Sequence, residues 1–280
     1  MSGLRLARLR LVCADPDRLA RFYEQALGFS RGEEADGGTR VSLGGLPVDL
    51  LGGAARPCPA EVPGWSPLFQ HVAVVVSDMA AAYAHLRAVP GWTPISQAGP
   101  EHLPERSGGV GAFKFRDPEG HPLELLAFPA GRAPAAWRRP GLHLGIDHSA
   151  ISVADSARSV AFYDRLGLRV TARALNRGPE QARLDAVADP QVEVTALEPA
   201  SGGPPHVELL CYRGRFDRAG PGSSLDDGAA TRLVFAAEAP ETVAALRASL
   251  AVSLARDAPD RLLLRDPDGH WIEIEGPPAD

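Results

Sequence analysis

The sequence predicts an α+β fold made of four copies of one strand–helix–strand module, and three observations predict it. ADPDRLARFYEQALGF (14–29) and ADSARSVAFYDRLGL (154–168) match at an offset of about half the 280-residue chain. HVAVVVSDMAAAYAHL (71–86) and TRLVFAAEAPETVAAL (231–246) repeat the same plan inside each half. GAFKFRDPEGHPLELLAF (111–128) and RLLLRDPDGHWIEIEG (261–276) each run a strand into an Asp-Pro-x-Gly-His turn and out into a second strand. Proline presets the φ that such a turn needs and glycine tolerates positive φ. One module cannot bury its own sheet face, so modules have to pair.

In the first module LRLVC (9–13) alternates as a half-buried strand does. After a polar turn, Leu19, Phe22, Tyr23 and Leu27 recur at helical spacing. The second module opens on the apolar run after His71 and closes on the turn-linked strands at 111–128. The third repeats the first, with SAISV (149–153) as strand and Ser159, Phe162, Tyr163 and Leu166 along a helix. Within it, NRGPEQARLD (176–185) reads as a loop and strand edge. The fourth begins near Thr231 and ends in the second turn-linked pair at 261–276. Pro/Gly-rich stretches separate the modules at 52–65, 129–141 and 213–228. The expected domains are 1–130, with modules at about 5–52 and 68–128, and 144–280, with modules at about 144–213 and 228–277; residues 131–143 link them.

Composition narrows the function. Apolar residues make up 45% and charged residues 23%, and 29 basic against 35 acidic residues leave a net charge of −6 without long runs. That balance argues against nucleic acid or an anionic membrane as partner. Cys13, Cys58 and Cys211 are far apart and form no C-x-x-C motif, which fits a reduced, cytoplasmic setting. The N-terminal residues contain no signal-peptide apolar core, and no stretch approaches a membrane span.

His71 and His148 each begin an apolar strand, and Glu124 and Glu208 sit inside others, so two similar segments supply two His–Glu pairs. One histidine at a strand start is ordinarily structural. Two at matching repeat positions, each with its glutamate, point to divalent-metal binding. His121 and His270 repeat as well, but each follows the glycine of a turn and reads as structural. Glu275 is expected to face outward.

IDHSAISVADSARSVAFYDRLGL (146–168), QHVAVVVSD (70–78), DPEGHPLELL (117–126) and HVELL (206–210) resemble the vicinal oxygen chelate superfamily of glyoxalase I, extradiol dioxygenases and bleomycin-resistance proteins. The resemblance spans nearly the whole chain. It implies four βαβββ modules closing two cupped mixed sheets, with metal ligands on the first and last strand of each module. Counting seven back from the acidic residue after each first strand gives His71 from Asp78, His148 from Asp155, Arg8 from Asp15 and Thr231 from Glu238. Their last-strand counterparts are Glu124, Glu208, Asp49 and Glu273. Pairing modules two with three, and one with four, would gather all four metal ligands in one cup and leave Arg8 as a fixed cation in the other. Pairing one with two, and three with four, would split them. The first is favoured because it keeps the ligands together.

The resemblance further implies one divalent ion (Ni²⁺, Zn²⁺, Mn²⁺ or Fe²⁺) on His71, Glu124, His148 and Glu208, with open positions for a small chelating, oxygenated substrate. The implied reaction is of glyoxalase type, a lyase or isomerase step in which Glu124 or Glu208 removes a proton next to a carbonyl. Asn176 and Gln181 are expected to donate hydrogen bonds to that substrate. Two alternatives stand beside it. One is an Fe(II) extradiol ring-cleaving dioxygenase, which expects two histidines and one glutamate; the other is a drug- or metabolite-binding protein without chemistry. A monomer or a homodimer is compatible with four modules in one chain.

Overall fold

The computed structural model describes residues 4–35, 37–68, 70–199, 202–215, 223–250, 254–258 and 260–277; of the expected boundary at 213–228, residues 216–222 lie outside them. Module one comprises β1 (Leu4–Val12), α1 (Pro16–Leu27), β2 (Ser30–Ala35), β3 (Gly38–Leu43) and β4 (Leu46–Leu51). Module two comprises β5 (Gln70–Val76), α2 (Met79–Arg87), short β6 (Thr93–Pro94) and β7 (Glu101–His102), then β8 (Gly111–Arg116) and β9 (Pro122–Ala127). Module three comprises β10 (His143–Ser152), α3 (Ser156–Arg165), β11 (Arg169–Arg177), α4 (Pro179–Asp185), β12 (Gln191–Glu198) and β13 (His206–Tyr212). Module four comprises β14 (Arg232–Ala237), α5 (Pro240–Ser249), β15 (Leu254–Ala258), β16 (Arg261–Arg265) and β17 (Trp271–Glu275). No helix among the described residues is long and apolar enough to cross a membrane.

Each module pairs its first and last strands in parallel, β1 with β4, β5 with β9, β10 with β13 and β14 with β17. Parallel neighbours need a crossover, and the helix supplies it. Eight strands form one sheet in the order β15-β16-β17-β14-β1-β4-β3-β2; nine form the other, β11-β12-β13-β10-β5-β9-β8-β6, with β7 on β8. Modules four and one therefore share a sheet, as do three and two, each pair joined by antiparallel first strands. The sheets do not follow the division at 1–130 and 144–280: that division marks the sequence repeat, and each cup draws one module from each side of it.

Alternation decides which face is which. Val72, Val74 and Val76 of β5, Leu123 and Leu125 of β9, and Val207 and Leu209 of β13 join one contiguous core with Leu9, Phe235 and the apolar faces of α1 and α3. Burying each such side chain contributes about 1.5–3 kcal/mol. The intervening residues of the nine-stranded sheet, Glu124 and Glu208 among them, point to the other face.

Three helices begin on an aspartate whose side chain accepts a backbone N–H: Asp15 from Arg18 at 2.9 Å, Asp78 from Ala81 at 3.0 Å and Asp155 from Arg158 at 3.0 Å. Each such cap is worth about 1 kcal/mol. The fourth differs. Its N-cap is Ala239, with Pro240 opening the helix, so Glu238 lies one residue before the cap. The position equivalent to His71 and His148 is consequently Arg232 and not Thr231. Strand register agrees, since Val234 pairs with Glu273 as Ala73 pairs with Glu124 and Ala150 with Glu208.

The segment at 176–185 also departs from expectation. Asn176 lies in β11, whereas Gln181 lies on a helix that Pro179 starts and that Ala186 ends at φ 54°. Proline at the first helical position, followed by helix-favouring Glu, Gln, Ala, Arg and Leu, accounts for it.

Candidate metal centre

His148 reaches the cup through a β-bulge. Ile146 pairs with Val74 and His148 with Ala73, so Asp147 is the extra residue on β10. A bulge places neighbouring side chains on one face where a regular strand would alternate them. Asp147 and His148 accordingly both line the cavity, while Ile146 and Ile151 enter the core. His71 comes from the adjacent strand, Glu124 from β9 and Glu208 from β13.

His71, Glu124 and His148 bring one ligand atom each to within 4.8 Å of one another, and all three are buried. His71 Nε2 lies 2.9 Å from Glu124 Oε2, and the two imidazole rings are 5.6 Å apart. Glu208 stands slightly outside this group, with Oε2 3.5 Å from His148 Nε2. His148 Nδ1 lies 3.0 Å from Asp147 Oδ2, and Asp147 Oδ1 accepts from Trp137 Nε1 at 3.0 Å. The Asp147 contact turns Nε2 of His148 inward, where it is buried with no hydrogen-bond partner.

His206 completes the cluster and went unmarked by the sequence reading. It pairs with His148 across β10 and β13, and its Nε2 lies 3.6 Å from Glu208 Oε1. Its signal was present: it precedes Glu208 by two residues, the spacing of one strand face.

Charge in the cluster is unevenly held. Burial favours neutral His148, but Glu208 and Asp147 outweigh it and push the imidazole up to about 9. Burial opposes charge on Glu208 too, but His148 and His206 bring it down to about 2. His71 is held below the usual range by burial and then by the Lys114 ammonium. Glu124 is lowered despite burial, through His71 and Lys114.

The four residues open onto a cavity of about 410 Å³, walled by Leu126, Val194 and Leu210 among others. Both Asn176 and Gln181 line it. Lys114, opposite Glu124 in the β8–β9 pairing, lines it as well and places Nζ 2.8 Å from Asp185 Oδ1. Gln181 donates its amide N–H to Asp185 Oδ2 at 2.7 Å, and Tyr212 donates its hydroxyl to the same oxygen at 2.9 Å. His121 and His270 stand outside this cluster, in the turns before β9 and β17.

The eight-stranded sheet fills the matching positions with Arg8, Asp49, Arg232 and Glu273. Arg10, 3% exposed, donates to Glu273 at 2.8 Å and lies 3.4 Å from Asp49. Arg8 and Arg40 reach Asp49 at 3.1 and 2.6 Å, and Arg261 reaches Glu273 at 3.1 Å. Glu275 does not face outward as expected but joins this network through Arg8, Arg10 and Arg261. Guanidinium groups occupy this cup and already satisfy its carboxylates, which makes it unsuited to a cation.

The glyoxalase/bleomycin resistance protein/dioxygenase superfamily model matches residues 5–125 and 145–274. Among solved structures, glyoxalase I from Zea mays is similar with a TM-score of 0.67 at 16% identity, covering 98% of this chain and 92% of that one. A point mutant of that enzyme gives a TM-score of 0.69 at 17% identity over 98% and 92%. A Bacillus subtilis protein provisionally described as a dioxygenase gives 0.58 at 14% identity over 99% and 86%. No curated protein sequence matches. At these identities the structural likeness speaks to fold. The family matches to both halves, on two cupped sheets of repeated modules, place the chain in the glyoxalase/bleomycin resistance protein/dioxygenase superfamily, which includes enzymes such as glyoxalase I and dioxygenases.

Proposed function

We propose that this protein is a divalent-metal-dependent enzyme of glyoxalase type, acting on a small chelating substrate by removing a proton next to a carbonyl. The observation that carries the reading is the convergence of His71, Glu124 and His148, with Glu208 alongside, on one cavity. The donor set fits a metal. His148 Nε2 is buried without a hydrogen-bond partner, its other nitrogen is fixed by Asp147, and two imidazoles with two carboxylates suit Ni²⁺, Zn²⁺, Mn²⁺ or Fe²⁺. A bound ion would polarise the substrate carbonyl as a Lewis acid.

Within that reading the two glutamates divide the work. The Glu124 side chain is 8% exposed and sits against His71, whereas that of Glu208 is 20% exposed and faces the cavity at longer distances from its neighbours. Glu208 is the base, with room to swing toward a substrate carbon, and Glu124 is the permanent ligand. The apolar wall excludes water from the carbanion side and weakens solvation of the Glu208 charge, which makes it a stronger base once it leaves His148.

A second reading has its own support. His71, His148 and Glu124 by themselves are two histidines and one carboxylate, the set used by non-haem Fe(II) oxygenases. Elemental analysis of wild type, His71→Ala, His148→Ala and Glu208→Gln tests both. One metal per chain, lost in both histidine variants and retained in Glu208→Gln, supports a shared centre with Glu208 as base. Oxygen uptake with a catechol by the iron-loaded protein would move the dioxygenase reading ahead. A wild type that takes up no metal overturns both and leaves a ligand-binding protein.

A further inference from the structure

The cavity end farthest from Glu208 along β13 has a definite hydrogen-bond polarity. Asp185 lies 2.8 Å from the Lys114 ammonium, and its carboxylate oxygens serve as hydrogen-bond acceptors. The Gln181 amide therefore has to turn its NH₂ toward Asp185, and the assignment of its two ends follows from that contact. Its carbonyl oxygen is left on the cavity side. Gln181 is 4% exposed, and Oε1 is buried with no hydrogen-bond partner. Tyr212 likewise uses its hydroxyl proton on Asp185, so its oxygen also presents lone pairs. Lys114 and Asp185 compensate each other, and this end carries no net charge to draw an anion.

We propose that Gln181, held by Asp185, is a substrate-binding acceptor that selects a chelating substrate bearing a hydrogen-bond donor, an alcohol or an N–H group, on the arm away from the metal. The proposal rests on the metal-centre reading above and reverses the donor role expected for Gln181 from sequence. A ligand donor at this end supplies the hydrogen bond that Oε1 lacks; a methyl there leaves the buried carbonyl unsatisfied, and a carboxylate or phosphate opposes it. Asn176, whose Oδ1 is also buried without a partner on the same cavity, extends the polar strip toward β11.

Two matched chelators test it. Kojic acid and allomaltol present the same pair of neighbouring oxygens and differ only in a hydroxymethyl against a methyl group. Their affinities for Zn²⁺-loaded protein are measured by calorimetry, after metal content has been determined on the same sample. The expected result is about tenfold tighter binding of kojic acid by the wild type, and loss of that preference in Gln181→Met. Equal affinities in the wild type, or a preference that survives in Gln181→Met, overturn the proposal while leaving the metal centre standing. Failure to load metal is seen before any chelator is added and overturns the metal reading together with this one. The wild-type comparison decides alone if the variant does not fold.

Discussion

The Nε2 of His121, in the nine-stranded half of the molecule, lies 2.9 Å from the backbone carbonyl oxygen of Val12, at the end of β1 in the other sheet. Its Nδ1 lies 2.9 Å from Asp117 Oδ2. Both partners present acceptor oxygens, an arrangement that favours an imidazolium with both ring nitrogens donating. The repeat provides the counterpart, His270 Nε2 at 2.8 Å from Ser152 O. The two Asp-Pro-x-Gly-His turns are thus ties between sheets, each tightened by a glycine at φ +94° that a side chain would strain.

Asp117 and the Val12 carbonyl raise the His121 pKa above its ordinary value, against burial, which acts to lower it. A histidine raised in the folded state stabilises fully below its unfolded pKa of about 6.5, and that stability is lost as pH rises through the folded value. His121→Gln should lower the unfolding free energy by about 3 kcal/mol at pH 6, and by less at pH 10. Urea titrations of both proteins at the two pH values check this. A difference independent of pH would show that His121 is neutral.

Tyr23 donates its hydroxyl to Asp117 at 3.2 Å and Tyr163 to Asp266 at 3.1 Å, the same bond in the two repeats. Tyr163→Phe should cost about 2 kcal/mol, because a buried carboxylate loses a donor, and Tyr23→Phe about the same. The two turns share no partner, so the double variant should lose close to the sum. Denaturant midpoints measured at constant slope give each value.

Asp147→Asn should weaken divalent-metal binding by about 10- to 100-fold through loss of the fixed Nε2 orientation of His148. Trp137→Phe, which removes only the indole bond to Asp147, should have a smaller effect in the same direction. Competition against a chromophoric chelator measures both. Unchanged affinity in Asp147→Asn would show that His148 is oriented by other contacts.

Arg10→Met strips the central cation from the buried network around Asp49 and Glu273. The carboxylates left behind should cost about 3–5 kcal/mol of stability. Metal content should stay as in the wild type, since the change lies in the other sheet. Loss of metal in this variant would place the centre elsewhere.

The repeat was legible because strand alternation, helix periodicity and the turn residues all recur, and the pairing that gathers His71, Glu124, His148 and Glu208 on one sheet followed from asking where the candidate ligands lay. The count to Thr231 failed for a local reason: module four has no aspartate cap, and its N-cap, Ala239, falls one residue later. Asp147 was hidden by a bulge, since alternation along β10 assigns it to the face opposite His148. Gln181 was marked in the sequence and lines the cavity, but the direction of its amide was not legible there. Which end of an amide faces a cavity depends on Asp185 and Lys114, partners that the fold brings together from distant positions.

Because each cup draws one module from either side of residues 131–143, severing the chain in that stretch would leave two fragments, one with His71 and Glu124 and the other with His148 and Glu208. Neither fragment alone could complete the cluster, and its assembly would become second order in fragment concentration. Mixing one fragment from wild type with the other from a histidine variant would then yield the phenotype of the damaged half, a genetic complementation assay built into the crossing of the strands.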